Sequence, residues 1–177
     1  MEPTRRDSPG AWVAASLAGS EAAFEELYRR FAPAVHGILL ARLRPAEAED
    51  LVQEVFLEAW RRLAQLREAE AFGGWICTIA RRKAIDWRRA ERATEPLPAE
   101  LPSAATAGVT LEAQRALEAI RSLPEAYREP LVLRLVGGLS SREIAGVTGL
   151  TEGSVRVNLH RGLRQLRERM GVGHAKR

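Results

Sequence analysis

The chain is predicted to be all-α, with two small helical domains joined by a flexible linker and the C-terminal domain a helix-turn-helix. Three observations predict this. Apolar residues recur at helical spacing through most of the 177 residues, and no run alternates as a strand would. Residues 93–110, ATEPLPAELPSAATAGVT, hold three prolines and five alanines with almost no periodicity, which suits an extended linker better than a loop inside one compact domain. Finally, SSREIAGVTGLTEGSVRVNLHRGLRQL places a capping box, a short helix, a glycine turn and a longer amphipathic helix in succession.

Residues 1–19 form an N-terminal segment with no assigned element. Its apolar stretch, Ala11 to Leu17, is too short and too mixed for a signal peptide. The first domain spans 20–92. Ser20 caps a helix carrying Phe24, Leu27, Tyr28 and Phe31, and Pro33 is expected to break or restart it. Val35 to Leu43 reads as a second apolar helix. Pro45 suits a first helical turn, and the next helix runs from about Ala46 to Leu66. Gly73-Gly74 is expected to open a loop before a helix that starts at Trp75.

After the linker, the second domain covers 111–170, with a short tail at 171–177. Leu111 to Leu123 is a helix. Pro124 begins another that reaches Val136, with Pro130 expected to kink it or delay its start. Ser140 and Glu143 form the capping box of a short helix that stops at Gly149. Thr151 caps the last helix, which ends near Met170.

Apolar residues make up 46% of the chain, enough for a packed core. No apolar run approaches the roughly 20 residues of a membrane span, and Cys77 is the one cysteine, so no internal disulfide forms. These features fit a protein of the reducing cytoplasm with no membrane insertion. His36, His160 and His174 are scattered, with no ligand spacing and no glycine-rich phosphate loop. No metal, no cofactor and no catalysis are therefore expected.

The net charge of +4 is unevenly spread: residues 76–92 carry +4 and residues 137–177 carry +5. Clustered positive charge is the footprint of nucleic-acid binding. On the last helix Val155, Leu159, Leu163 and Leu166 share one face, while Ser154, Arg156, Val157, His160, Arg161 and Arg164 point outward. Arginines there can neutralise phosphates or reach guanine edges in a major groove, and Val157 can touch a thymine methyl. The helix IARRKAIDWRRAER divides similarly. Trp75, Ile76, Ile79, Ala80, Ala84 and Trp87 fall on one side, and Arg81, Arg82, Arg88, Arg89 and Arg92 on the other. Trp87 is expected in the core. Lys83 and Asp86 depart from the pattern, with Asp86 expected to pair with Lys83 or Arg82, or to cap a neighbouring element. Ile85, within the arginine side, implies packing on more than one face. In AEAEDLVQEVFLEAW, Asp50, Gln53, Glu54, Leu57 and Glu58 make an outward acidic stripe opposite Leu51 and Val55. It reads either as a solvated face or as a dock for a basic helix of a partner.

From about Glu21 to Met170 these segments, in this order, resemble an extracytoplasmic-function sigma factor of the sigma-70 family. FEELYRRFAPAV resembles the start of region 2, AEDLVQEVFLEAW the segment that docks on core RNA polymerase, and FGGWICTIARRKAIDWRR the segment that melts and reads the −10 promoter element. LPEAYREPLVLRLVGGLSSREIAGVTGLTEGSVRVNLHRGLRQLR resembles region 4, which reads the −35 element. By position, the resemblance implies polymerase binding by Asp50, Leu51, Gln53, Glu54 and Leu57, with Phe56 in the core. It implies −10 contacts by Trp75, Arg81, Arg82, Lys83, Arg88 and Arg89, with Ala71 to Gly74 near a flipped base. It implies −35 contacts by Ser154, Arg156, Val157, His160, Arg161 and Arg164. The chain departs from the family pattern at Arg82, where asparagine is common, and at Val157 and Asn158, where serine and arginine are common. The implied partners are core RNA polymerase, promoter DNA and an anti-sigma factor. A stand-alone helix-turn-helix regulator is the alternative; it leaves the acidic stripe and the first arginine helix without a role, and no heptad seam offers the dimer such a regulator usually needs.

Overall fold

The computed structural model describes residues 8–94 and 111–171, and among these every regular element is helical. Of the expected linker, residues 95–110 lie outside the described residues, while 93 and 94 belong to the end of a helix. Of the two terminal segments, residues 1–7 and 172–177 also lie outside them.

The first helix, α1 (Pro9–Leu17), is one the sequence did not announce. Ser8 caps it by accepting from Ala11 N at 3.2 Å, and Pro9 occupies the first turn. The same Ser8 hydroxyl donates to Glu70 Oε1 at 2.7 Å, pinning α1 to the turn that precedes the arginine helix. Val13 is buried against the helices that follow.

Ser20 caps α2 (Glu21–Leu40) as expected, accepting from Ala23 N. Pro33 does not break this helix. The expected second helix is the same rod, ending at Leu40 rather than Leu43. A proline here costs one backbone hydrogen bond and about 3 kcal/mol. Leu27 and Val35, on either side of it, are both fully buried, and their burial outweighs that cost only if the rod continues.

Pro45 sits at the first position of α3 (Pro45–Arg62), and Glu47 accepts from Arg44 N–H in return. Ala48, Leu51, Val52, Val55, Phe56 and Ala59 form its buried face. Two short 3₁₀ turns, Leu63–Gln65 and Ala69–Ala71, lead into α4 (Phe72–Thr94). Gly73 and Gly74 therefore lie inside the helix rather than in a loop. The reason is contact: a Cβ at Gly73 would stand 2.9 Å from Phe31 Cε1, so the glycine lets α4 close on α2.

The second half consists of α5 (Leu111–Arg121), α6 (Glu125–Leu135), α7 (Ser141–Thr148) and α8 (Glu152–Arg169). α6 starts without delay and carries Pro130 inside it, buried in the core. The Ser140–Glu143 capping box forms in both directions. Gly149 ends α7 in the left-handed region at φ 75°, where a Cβ would be strained. Thr151 then caps α8 through Ser154 N. α8 packs on α6 and α7, and the buried side chains of both halves, from Val13 to Leu166, form one continuous cluster.

Candidate nucleic-acid interface

Val155, Leu159 and Leu166 of α8 face inward, and α8 turns its opposite side to solvent. Ser154, Arg156, Val157, His160, Arg161 and Arg164 are all exposed or nearly so, as expected. Arg156 lies on Glu152 at 2.6 Å and Arg164 near Glu168 at 3.8 Å, both as exposed pairs four residues apart. Ser154 Oγ stands 2.8 Å from Thr151 Oγ1, so its hydroxyl takes part in the cap. Exposed pairs of this kind are weak and give way readily to a phosphate.

On α4 the arginines divide into free and engaged groups. Arg82 and Arg89 are exposed, Arg89 lying 3.9 Å from Asp86. Arg88 is half-buried and donates to the Arg42 carbonyl at 3.5 Å. Arg81 is held by Glu129 of α6. Lys83 binds Glu54 at 2.9 Å and approaches Glu58 at 3.6 Å, joining α4 to α3, so of the partners expected for Asp86 neither Lys83 nor Arg82 is found; Asp86 lies near Arg89 instead. Ile85 is half-buried, in keeping with packing beyond one face.

Trp75 packs against Phe72, ring centroids 5.8 Å apart. Trp87 is not in the core: it is 38% exposed. Among the described side chains of α4, Ala84 is the last that is fully buried, and those beyond it are half-buried or exposed. Both tryptophans line a groove of about 380 Å³ between α3 and α4, together with Ile79, Arg82 and Leu51.

The stripe on α3 is real as a surface. Asp50, Gln53, Glu54 and Leu57 are exposed, and Leu57 is 49% open to solvent. Leu51 lies opposite this stripe, as its spacing predicts, and so does not share its exposed surface. It is buried, 3% exposed, and belongs with Phe56 to the face that packs inward. Trp60, one turn beyond Leu57 and 42% exposed, extends the apolar part of the stripe over Phe24 at 4.7 Å. Its spacing from Leu57 was the available signal.

Arg42 was not anticipated. It is 4% exposed, and its guanidinium reaches Glu129 Oε1 at 2.8 Å and also binds Glu125. Burial lowers its pKa, and the two carboxylates draw it back up. Cys77 is buried as well, and burial, aided by the charge of Glu143, pushes its thiol up to about 12. The thiol therefore stays protonated and unreactive in this arrangement. Among the described residues no cluster of His, Cys, Asp and Glu is placed to hold a metal, and no helix is long and apolar enough to cross a membrane.

The protein thus presents a helix-turn-helix with a basic outer face, an arginine helix beside a groove, and an acidic-apolar stripe. Comparison with known proteins gives it a family. The pattern of Sigma-70 region 2 matches residues 27–94, and that of Sigma-70, region 4 matches residues 113–166. The chain is 34% identical over 160 residues to the RNA polymerase sigma factor CarQ of Myxococcus xanthus, covering 86% of this chain and 92% of that one. It is likewise 34% identical over 171 residues to the ECF RNA polymerase sigma factor RpoE of Cereibacter sphaeroides, covering 90% and 94%. Its fold is similar to that of CnrH, solved with the cytosolic domain of CnrY, with a TM-score of 0.70 at 24% identity over 93% of this chain and 98% of that one. It is similar also to RpoE of Bartonella quintana, solved with the anti-sigma factor NepR, with a TM-score of 0.72 at 20% identity over 85% and 98%. The chain belongs to the sigma-70 family, in its extracytoplasmic-function group. It is a promoter-directing sigma factor of RNA polymerase, not a stand-alone regulator. Its partners are accordingly core RNA polymerase and promoter DNA, and family membership is consistent with a chain that binds rather than catalyses.

Proposed function

We propose a division of labour among the three surfaces. Residues 20–92 act as the domain that joins core polymerase and captures the opened −10 element, and residues 111–170 act as the domain that reads the −35 duplex. Asp50, Gln53, Glu54 and Leu57 dock on polymerase, with Leu51 supporting them from beneath. Arg82 and Arg89 meet the −10 strand first, with Trp75, Lys83 and Arg88 beside them, and Arg81 joins once Glu129 releases it. Stacking and basic backbone contacts suit single-stranded DNA. The α8 face of Ser154, Arg156, Val157, His160, Arg161 and Arg164 enters a major groove.

The observation that carries this reading is the exposure, on one chain, of an acidic-apolar stripe on α3 and basic faces on α4 and α8. A repressor has no use for the first, and a protein-interaction module has none for the other two. The work is done inside the cell, in the cytoplasm, without catalysis by the chain itself. An anti-sigma factor holds the chain inactive until it is needed. A sigma factor of similar fold, RpoE of Bartonella quintana, has been co-crystallised with the anti-sigma factor NepR, and this supports the last point.

The test mixes the purified chain with core polymerase and measures promoter-dependent transcription from candidate upstream regions. Association with core and specific transcripts are expected; no association sinks the assignment. Replacing Arg82 and Arg89 together by alanine should impair opening of duplex promoters while leaving binding to core intact.

A further inference from the structure

Arg42 is the one charged residue that the fold fully buries among the described residues. It follows α2, in the first half of the chain, yet its carboxylate partners Glu125 and Glu129 both lie on α6, in the second half. Glu129, its side chain 13% exposed, also accepts from Arg81 of α4 through both carboxylate oxygens, the Nη2–Oε2 distance being 3.3 Å. One carboxylate thus ties two arginines of the first half to the second.

Other contacts follow the same seam. Arg121 of α5 donates at 2.8 Å to the carbonyls of Leu40 and Leu43, capping the end of α2 from across the boundary. A Cβ at Gly37 would stand 2.4 Å from Val136 Cγ1, and one at Gly137 would stand 3.3 Å from Cys77 Sγ, so the two halves meet closely.

An arginine fork recognises carboxylate and phosphate by the same geometry. While Arg81 holds Glu129 through Nε and Nη2, that side of its fork is closed to a phosphate. We propose that Arg42, Glu129 and Arg81 form a latch that keeps the free chain closed, with Glu129 occupying the place of DNA on Arg81 until α6 leaves α4. This rests on the assignment of α4 to the −10 element. Removing either side of a buried, hydrogen-bonded pair leaves a charge without its partner. Closure and DNA binding therefore compete for one side chain, and each state weakens the other. The chain between Thr94 and Leu111 has 16 residues, enough when extended to span roughly 50 Å and so to permit the separation.

Cys77, the one cysteine, reports on the seam because its sulfur lies under Gly137. The experiment compares the free full chain with the variants Glu129→Gln and Gly37→Leu. The first removes the shared charge, and the second wedges the seam without touching any charge. Circular dichroism checks that each is folded. The reaction of Cys77 with a disulfide reagent should speed up at least about tenfold in both, the scale expected for losing a charged hydrogen bond or its packing equivalent. The affinity of free Glu129→Gln for single-stranded DNA should rise by a similar factor. Folded variants whose thiol reacts at the wild-type rate would overturn the latch. A faster thiol with unchanged DNA affinity in both variants would overturn the competition for Arg81. A separate assay, transcription by wild-type chain with core polymerase, tells failure of the −10 assignment apart from failure of closure; with core bound, Glu129→Gln should transcribe as wild type does.

Discussion

The double variant Arg156→Ala, Arg164→Ala is the most direct test of the outer face of α8. Both side chains are about two-thirds exposed, at 66% and 67%, and each has one acidic neighbour four residues away on the same helix. Exposed pairs of this kind contribute about 0.3–0.5 kcal/mol each. Alanine recovers part of that through its helix propensity, so the variant should lose less than about 1 kcal/mol of stability. Binding is a different matter. Each phosphate contact contributes about 0.9 to the slope of log affinity against log salt, so losing two lowers the slope by about 1.8. Between about 50 and 200 mM salt, the wild type should then lose about 12-fold more affinity than the variant does. The assay is fluorescence anisotropy of holoenzyme on a labelled promoter fragment across that salt range, with a thermal melt of the free chain beside it. A slope within about 0.5 of wild type would show that this face does not lie on the phosphate backbone.

Other predictions concern the scaffold. Ile144→Ala empties a fully buried site between the helices of the turn motif and should cost about 2–5 kcal/mol in denaturant unfolding. Gly73→Leu drives a side chain into Phe31 and should cost about 1–3 kcal/mol, whereas a loop glycine would tolerate it. Ser140→Ala removes the cap of α7 and should cost about 0.5–2 kcal/mol. It should also alter the acid limb of stability. The Ser140 hydroxyl, and then its backbone N–H, hold Glu143 below the ordinary carboxylate range. A lowered folded pKa stabilises the protein above the unfolded value, and that contribution is lost as pH falls through the folded one. Melting curves between about pH 5 and pH 2 should therefore fall less steeply in Ser140→Ala than in wild type.

Local signals carried much of this protein. The caps at Ser20, Ser140 and Thr151 and the glycine stop at Gly149 were legible because each acts within a few residues of itself. The outward face of α8 was legible because a helix with one apolar stripe leaves its other residues no alternative to solvent. Where a residue's fate depended on what packed against it, the pattern misled. Pro33 reads as a breaker, but Leu27 and Val35 on the core side hold the helix together across it. Gly73-Gly74 reads as a loop, but Phe31 required the close approach. Trp87 reads as core, but it sits at the rim of the groove between α3 and α4, open to solvent on one side.

By itself, then, the sequence determined an all-helical chain, a helix-turn-helix, the two islands of positive charge and the acidic stripe, all consequences of spacing along a helix. Only the tertiary structure decided which of those charges are free. Arg82, Arg89 and the arginines of α8 face solvent, while Arg81 is bound to Glu129 and Arg42 is buried beside it. Arg42 and Glu129 stand 87 residues apart. No periodicity links positions so distant; the pairing exists because α6 packs against α2, and Glu129 on it reaches both Arg42 and Arg81 of α4, where a buried guanidinium must find a carboxylate.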